Sequence, residues 1–144
     1  MISSIITHPG GAHKDDFLAC AVLLKNNPVS IFRREPSIED LQNHKIAVLD
    51  VGGEYDYKSL NFDHHQFNRN DDPACALTLL LKDMDIYEEA NLGFRWLNVT
   101  EKFDSKGPYF VANEIGVEWN KISDATFSPI EEAILNRFSR HTKY

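Results

Sequence analysis

Apolar, β-branched residues run from Ile2 to Thr7 and stop at the breaker cluster His8-Pro9-Gly10-Gly11, a pattern that predicts a strand followed by a turn. From Asp15 the spacing changes. Phe17/Ala21 and Leu18/Val22 are apolar pairs four apart, and Asp15 and Asp16 stand where a helix dipole is positive, so a helix begins there. Val29 to Phe32 is a second β-rich run, followed by Pro36 and a short helical stretch from Ile38 to Gln42. A third run, Ile46 to Val51, ends at Gly52-Gly53, and Ser59 to Phe62 is a further extended segment. This βαβαβ alternation predicts an α/β fold, a parallel β-sheet flanked by helices with right-handed crossovers. In such sheets ligands bind beyond the carboxyl ends of the strands, here just after Thr7, Phe32 and Leu49.

The second half reads as helical. Pro73, Pro108 and Pro129 stand at positions suited to the first turn of a helix, and Asp85-x-x-Glu88 and Ser128-x-x-Glu131 have capping-box spacing. Helices are expected near 73–82, 86–103, 108–122 and 129–140, with stripes such as Ile130/Ile134/Phe138 facing the core.

Composition narrows the class. The 144 residues fit one domain spanning 1–144, and 42% apolar with 26% charged residues is a globular balance. The longest apolar stretch, Phe17 to Leu24, is too short to span a bilayer, and the N-terminus lacks a basic or apolar leader. The expectation is a cytoplasmic protein with no membrane partner. Cys20 and Cys75 lie within apolar stretches and are expected to be buried thiols. A net charge of −7 disfavours an extended grip on duplex DNA, but an Asp-rich metal site still accepts an acidic substrate, because bound cations reverse the local charge.

The polar residues then fall into place. His8, His13 and Asp15 follow the first strand, Asp50 ends the third, and Asp63-His64-His65 follows the fourth extended segment. Four of the six histidines belong to these groups. Mixed imidazole and carboxylate ligands suit Mn²⁺ first, with Mg²⁺, Co²⁺, Fe²⁺ or Zn²⁺ as alternatives. Several aspartates converging on one point repel one another unless cations neutralise them. Two ions sharing a carboxylate could activate water for an in-line displacement at phosphorus; Asp50, at the end of a central strand, is the natural bridge. Arg33 and Arg34, just past the second strand, are candidates to grip phosphate, with Lys14, Arg69 and Lys106 behind them. Tyr55, Tyr57 and Phe67 could stack on bases.

His8-Pro9-Gly10-Gly11-Ala12-His13-Lys14-Asp15-Asp16, Asp50-Val51-Gly52-Gly53-Glu54-Tyr55-Asp56 and Phe62-Asp63-His64-His65-Gln66 resemble, in order, three motifs of the DHH phosphoesterase superfamily, and within it the Myg-type branch. A weaker fourth motif surrounds Asp104, placed just past a predicted helix end. The resemblance implies a DHH-type N-terminal domain with His8, His13 and Asp50 around one metal and Asp15, Asp50, His64 and Asp104 around the other. It makes His65 a substrate-facing residue or acid and Asp63 the residue that orients its neighbours, so that Asp50, His65 and Asp63 are the catalytic set. It also implies a short form without the full C-terminal domain usual in the superfamily. The activity expected is that of a metal-dependent phosphoesterase, a phosphodiesterase or exonuclease on single-stranded RNA or DNA. The alternatives are a hydrolase of small nucleotides or phosphoanhydrides and a non-catalytic metal-binding module; a homo-oligomer is compatible with either.

Overall fold

The computed structural model of the chain describes residues 1–125 and 128–141. β1 (Ser4–Thr7), α1 (Lys14–Leu24), β2 (Ser30–Arg33), α2 (Ile38–Leu41) and β3 (Ile46–Leu49) form the expected βαβαβ run; β4 (Tyr55–Asp56), β5 (Asn61–Phe62) and α3 (Ala76–Asp83) follow. The strands form one sheet in the order β2-β1-β3-β5-β4, parallel except where β4 turns back along β5.

Alternation along the strands sorts the core into two faces. Ile5, Ala47, Leu49 and Phe62 pack with Ala19 and Cys20 of α1 and with the buried leucines of α3. Ile6, Val48 and Val51 meet Leu41 on the opposite face. α1 and α2 therefore cover different faces. The chain leaves β1 toward β2 and leaves β3 in the opposite direction, so the crevice between the carboxyl ends of β1 and β3 is the switch point of the sheet. Both cysteines are free and buried.

The helical half departs from the expected spans at its breaks. α3 starts at Ala76 behind Cys75, not at Pro73. The stretch expected over 86–103 is two helices, α4 (Tyr87–Gly93) and α5 (Trp96–Lys106), because Phe94 after Gly93 is extended and glycine is a poor helix former. Asp85 caps nothing; it has a positive φ of 57°, and Ile86 stands at the cap position. The 108–122 stretch also divides, into α6 (Pro108–Ile115) and α7 (Trp119–Ala125), since Gly116 ends α6 in the left-handed conformation that favours glycine. α8 (Pro129–His141) begins with the expected capping box: Ser128 N donates to Glu131 Oε2 at 3.0 Å and Glu131 N to Ser128 Oγ at 3.2 Å. Only part of its apolar stripe faces the core, however: Phe138 packs against it, whereas Ile130 is 72% and Ile134 45% exposed. α8 meets the body with Lys14 Nζ 2.8 Å from Glu131 Oε1, Phe138 edge-on to Phe17, and Ala12 N donating to Ser139 Oγ at 2.8 Å. Among the described residues no helix is long and apolar enough to cross a membrane.

Candidate metal centre

Three chain segments and one helix deliver side chains to the β1/β3 crevice. β1 ends at Thr7, which puts His8 at the sheet edge; His13 stands before the first residue of α1, and Asp15 and Asp16 lie in its first turn. β3 ends at Leu49, so Asp50 projects next, held by its backbone N–H bond to Phe62 O. Its φ of 59° is left-handed, a conformation that aspartate and asparagine tolerate better than other side chains. Gly52 has φ +100°, and a Cβ there would lie 2.9 Å from Leu41 Cδ2 and 3.1 Å from Pro36 Cγ. Gly53 N donates to Asp63 Oδ2 at 2.7 Å. The glycine pair thus turns the chain tightly under α2 and delivers a backbone donor to the next motif. Gly52→Ala should lower the urea midpoint of the metal-free protein, costing about 2–3 kcal/mol from backbone strain and the clash.

Asp63 is fully engaged. Its Oδ1 accepts from His64 N at 2.8 Å, His65 N at 3.2 Å and His65 Nδ1 at 2.6 Å. Burial works to raise its pKa, but the bonds from His65 and from the Gly53 and His65 backbone outweigh it and hold the carboxyl at about 2. The hydrogen-bonded Asp63 therefore orients the His65 ring and holds the backbone that carries His64. His65 keeps its side chain 63% exposed, and the Asp63 bond raises its pKa.

α5 supplies the remaining carboxylate from far along the chain. Leu97 buries one side of the helix, Tyr87 Oη donates to the buried Glu101 at 3.0 Å, and Lys106 Nζ donates to the carbonyls of Arg69 and Asp71. So anchored, Asp104 lies in the last turn of α5, not beyond a helix end, with Oδ2 2.7 Å from His64 Nε2.

Two sets of potential ligand atoms result, each lying within 4.8 Å of one another: His8, His13 and Asp50, and Asp15, Asp50, His64 and Asp104. Asp50 is common to both. A third set joins Asp50 with Asp63, His64 and His65, but Asp63 already accepts four N–H bonds. His8 Nδ1 lies 2.8 Å from Pro9 O; that carbonyl can only accept, so Nδ1 carries a proton and Nε2 is the nitrogen left to act as a ligand in the neutral ring. Nε2 faces Asp50 Oδ2 at 3.6 Å and Asp16 Oδ2 at 3.4 Å, and it has no hydrogen-bond partner. Both oxygens of the buried Asp15 likewise lack one.

Electrostatics reinforces the picture. Burial, then repulsion from Asp50 and Asp104, holds the Asp15 carboxyl well above the usual carboxylate range. Asp50 is raised by burial too, against the pull of His64. Burial works to lower His64, yet its bonds to Asp104 and Asp50 push it up to about 10. Lone pairs and carboxylates converging in a buried crevice, several of them unpartnered, match the donor chemistry of a divalent cation site.

Sequence reasoning gave Asp16 only a role in the helix dipole. In the fold it is a buried hub: Oδ1 accepts from His13 N at 2.8 Å, and Oδ2 from Thr7 Oγ1 at 3.2 Å and Arg33 Nη1 at 2.7 Å. Its position in the first turn, three residues after His13, was the available signal. The same contacts correct the phosphate-grip expectation for Arg33, which is 1% exposed, paired with Asp16 and under the Phe138 ring. Arg34 is half-exposed but forked onto Asp40, at 2.6 and 3.1 Å. Lys14 is paired with Glu131 and Lys106 with backbone carbonyls. Tyr55 packs against Phe62 and Phe67, and Tyr57 lies under Lys58.

Comparison with known proteins places the chain in a family. The family MYG1_exonuc, described as an uncharacterised protein family (UPF0160), matches residues 4–75, half of the chain. The chain belongs to this family. A MYG1 protein of Chlamydia muridarum is 37% identical over 67 residues, covering 44% of this chain and 22% of its own length. A MYG1 protein of Dictyostelium discoideum is 43% identical over 68 residues, 44% of this chain and 20% of its own. The MYG1 exonuclease of Homo sapiens is 39% identical over 64 residues, 42% and 16% respectively. The match thus spans about a fifth of the length of these relatives. No solved structure matches the chain. The family match takes in His8, His13, Asp15, Asp50, Asp63, His64 and His65, whereas Asp104 lies beyond it.

Proposed function

We propose that this chain is a metal-dependent phosphodiesterase of the DHH type, acting as an exonuclease on single-stranded RNA or DNA. The observation that carries this reading is the pair of ligand groups sharing Asp50, with the buried Asp15 carboxylate unpartnered between Asp50 and Asp104. His8 through Nε2, His13 and Asp50 would hold one ion; Asp15, Asp50, His64 and Asp104 would hold the other. Mn²⁺ fits this donor set best, with Mg²⁺, Co²⁺, Fe²⁺ and Zn²⁺ as alternatives. When bound, such ions supply Lewis acidity that acidifies water and stabilises charge developing on a phosphate.

The chain's own residues do the rest. Asp50, reaching both groups from one strand end, sets their separation. Asp63 accepts from His65 Nδ1, which fixes the tautomer and turns Nε2 outward, where a protonated His65 can donate to a phosphate oxygen or the departing oxygen. Asp16 accepts from the His13 backbone N–H and so fixes the start of α1 that carries His13, while the bond from His8 Nδ1 to Pro9 O sets the orientation of the His8 ring. The nucleic-acid substrate is read from the activity in the name of the human relative.

The purified chain with Mn²⁺ should shorten an end-labelled single-stranded oligonucleotide one nucleotide at a time, and chelation should stop it. Cyclic dinucleotides and pyrophosphate serve as competing substrates. Turnover on all of them no faster than that of an Asp50→Asn chain would overturn the catalytic reading.

A further inference from the structure

We propose that the apolar cleft bounded by α5, α6 and α7 receives the base of the nucleotide whose phosphate occupies the His/Asp cluster, without reading which base it is. This rests on the proposed function for the position of the phosphate. The cleft has a volume of about 780 Å³, within the usual range for a site that takes a small organic ligand. His13, Asp15 and Asp104 line its inner end, so it is continuous with the cluster. Its walls are chiefly Trp96, Val99, Phe103, Val111 and Ile115. Trp96 is 39% and Val99 50% exposed, an open apolar surface beside a strongly polar centre.

That juxtaposition selects a two-part ligand. A phosphate, or any other small anion, would use the cluster and leave the apolar walls wet. A purely apolar ligand would leave the cluster's polar end unsatisfied. A nucleotide places an anion and a flat, weakly polar ring a few ångströms apart and uses both. Lys14 and Lys121 also line the cleft, and Lys14 Nζ, paired with Glu131, lies 5.2 Å over the Trp96 ring. Side chains able to read base edges are few: apart from the two lysines and the cluster's own His13, Asp15 and Asp104, the hydrogen-bonding side chains among the described lining residues are Thr100 and the indole N–H of Trp96. Hydrophobic walls discriminate poorly between similar ligands, whereas unpaired buried donors and acceptors discriminate strongly. Packing of a base against aromatic side chains is tolerant of its identity. The cleft lies mainly on α5 to α7, beyond residues 4–75, so the family match does not carry it.

The chain has two tryptophans, and Trp119→Phe leaves Trp96 as the sole one. In that full-length variant with Mg²⁺, AMP and UMP should quench Trp96 fluorescence saturably, with dissociation constants within about tenfold of each other. Ribose 5-phosphate and inorganic phosphate should bind at least about tenfold more weakly than AMP. By calorimetry, Trp96→Ala in the otherwise native chain should weaken AMP about tenfold, while the rise in melting temperature with Mn²⁺ stays as in the native protein. AMP no tighter than ribose 5-phosphate, AMP unaffected by Trp96→Ala, or a preference above tenfold between AMP and UMP overturns the proposal. Nucleotide preference without phosphodiester hydrolysis overturns the catalytic reading and leaves the subsite standing; hydrolysis without that preference does the reverse.

Discussion

Asp50→Asn should reduce metal-dependent phosphodiester hydrolysis at least about a thousandfold, equivalent to about 4 kcal/mol of transition-state stabilisation, while the chain stays folded. Asp50 is the one residue common to both ligand groups, so removing its charge weakens both at once. Asparagine is the right replacement because the backbone here has φ 59°. Alanine would add left-handed strain and confuse loss of chemistry with loss of fold, whereas asparagine tolerates that conformation and keeps the side-chain shape. The Mn²⁺-induced rise in melting temperature should shrink in parallel with activity. Full activity in Asp50→Asn would remove this residue from the centre.

The second large effect has the opposite sign for stability. Asp15→Asn should stabilise the metal-free protein at neutral pH by about 1–3 kcal/mol, the order of burying an uncompensated group, because the amide carries no charge for Asp50 and Asp104 to repel, and should nearly abolish stabilisation by Mn²⁺. In the native chain, burial and the repulsion of Asp50 and Asp104 raise the Asp15 pKa. A carboxyl raised in the folded state favours folding below its unfolded pKa, and that contribution is lost as pH rises through the folded value. The gain from Asp15→Asn should therefore be near zero below pH ~4, where the carboxyl is protonated whether folded or not, and grow toward neutrality. Thermal melts across pH, with and without Mn²⁺, measure both halves. Equal stability of the two proteins at every pH would mean that Asp15 carries no electrostatic burden, and one reason to place a cation beside it would be gone.

Much of this was legible in the residues alone. The βαβαβ run is written in short β-branched segments with breakers behind them, and those signals are local. Motif order then placed His8, Asp50 and His64 after consecutive neighbouring strands, and right-handed crossovers bring such strand ends to one edge. Other expectations failed for reasons equally specific. Arg33 looked like a partner of Arg34 because the two adjoin in sequence, but strand residues alternate faces: Arg33 turns inward to Asp16, and Arg34 outward to Asp40. Ile130 and Ile134 have the spacing of a buried stripe, yet α8 meets the body along Lys14, Phe17 and Ala12 instead. Periodicity says that a helix has an apolar face, not whether anything covers it.

The sequence by itself determined the strand, turn and helix order of the first half, the chemical types gathered at the strand ends, and the glycines that let the chain turn beneath α2. Each is a property of a few neighbouring residues, governed by backbone sterics and side-chain spacing. Tertiary structure alone decided that Asp104 reaches His64 from within the last turn of a helix and not from beyond its end, that Asp15 is buried without a partner, and that an apolar cleft opens beside the cluster. Those outcomes depend on which distant surfaces exclude water from one another, a balance no local stretch of chain contains.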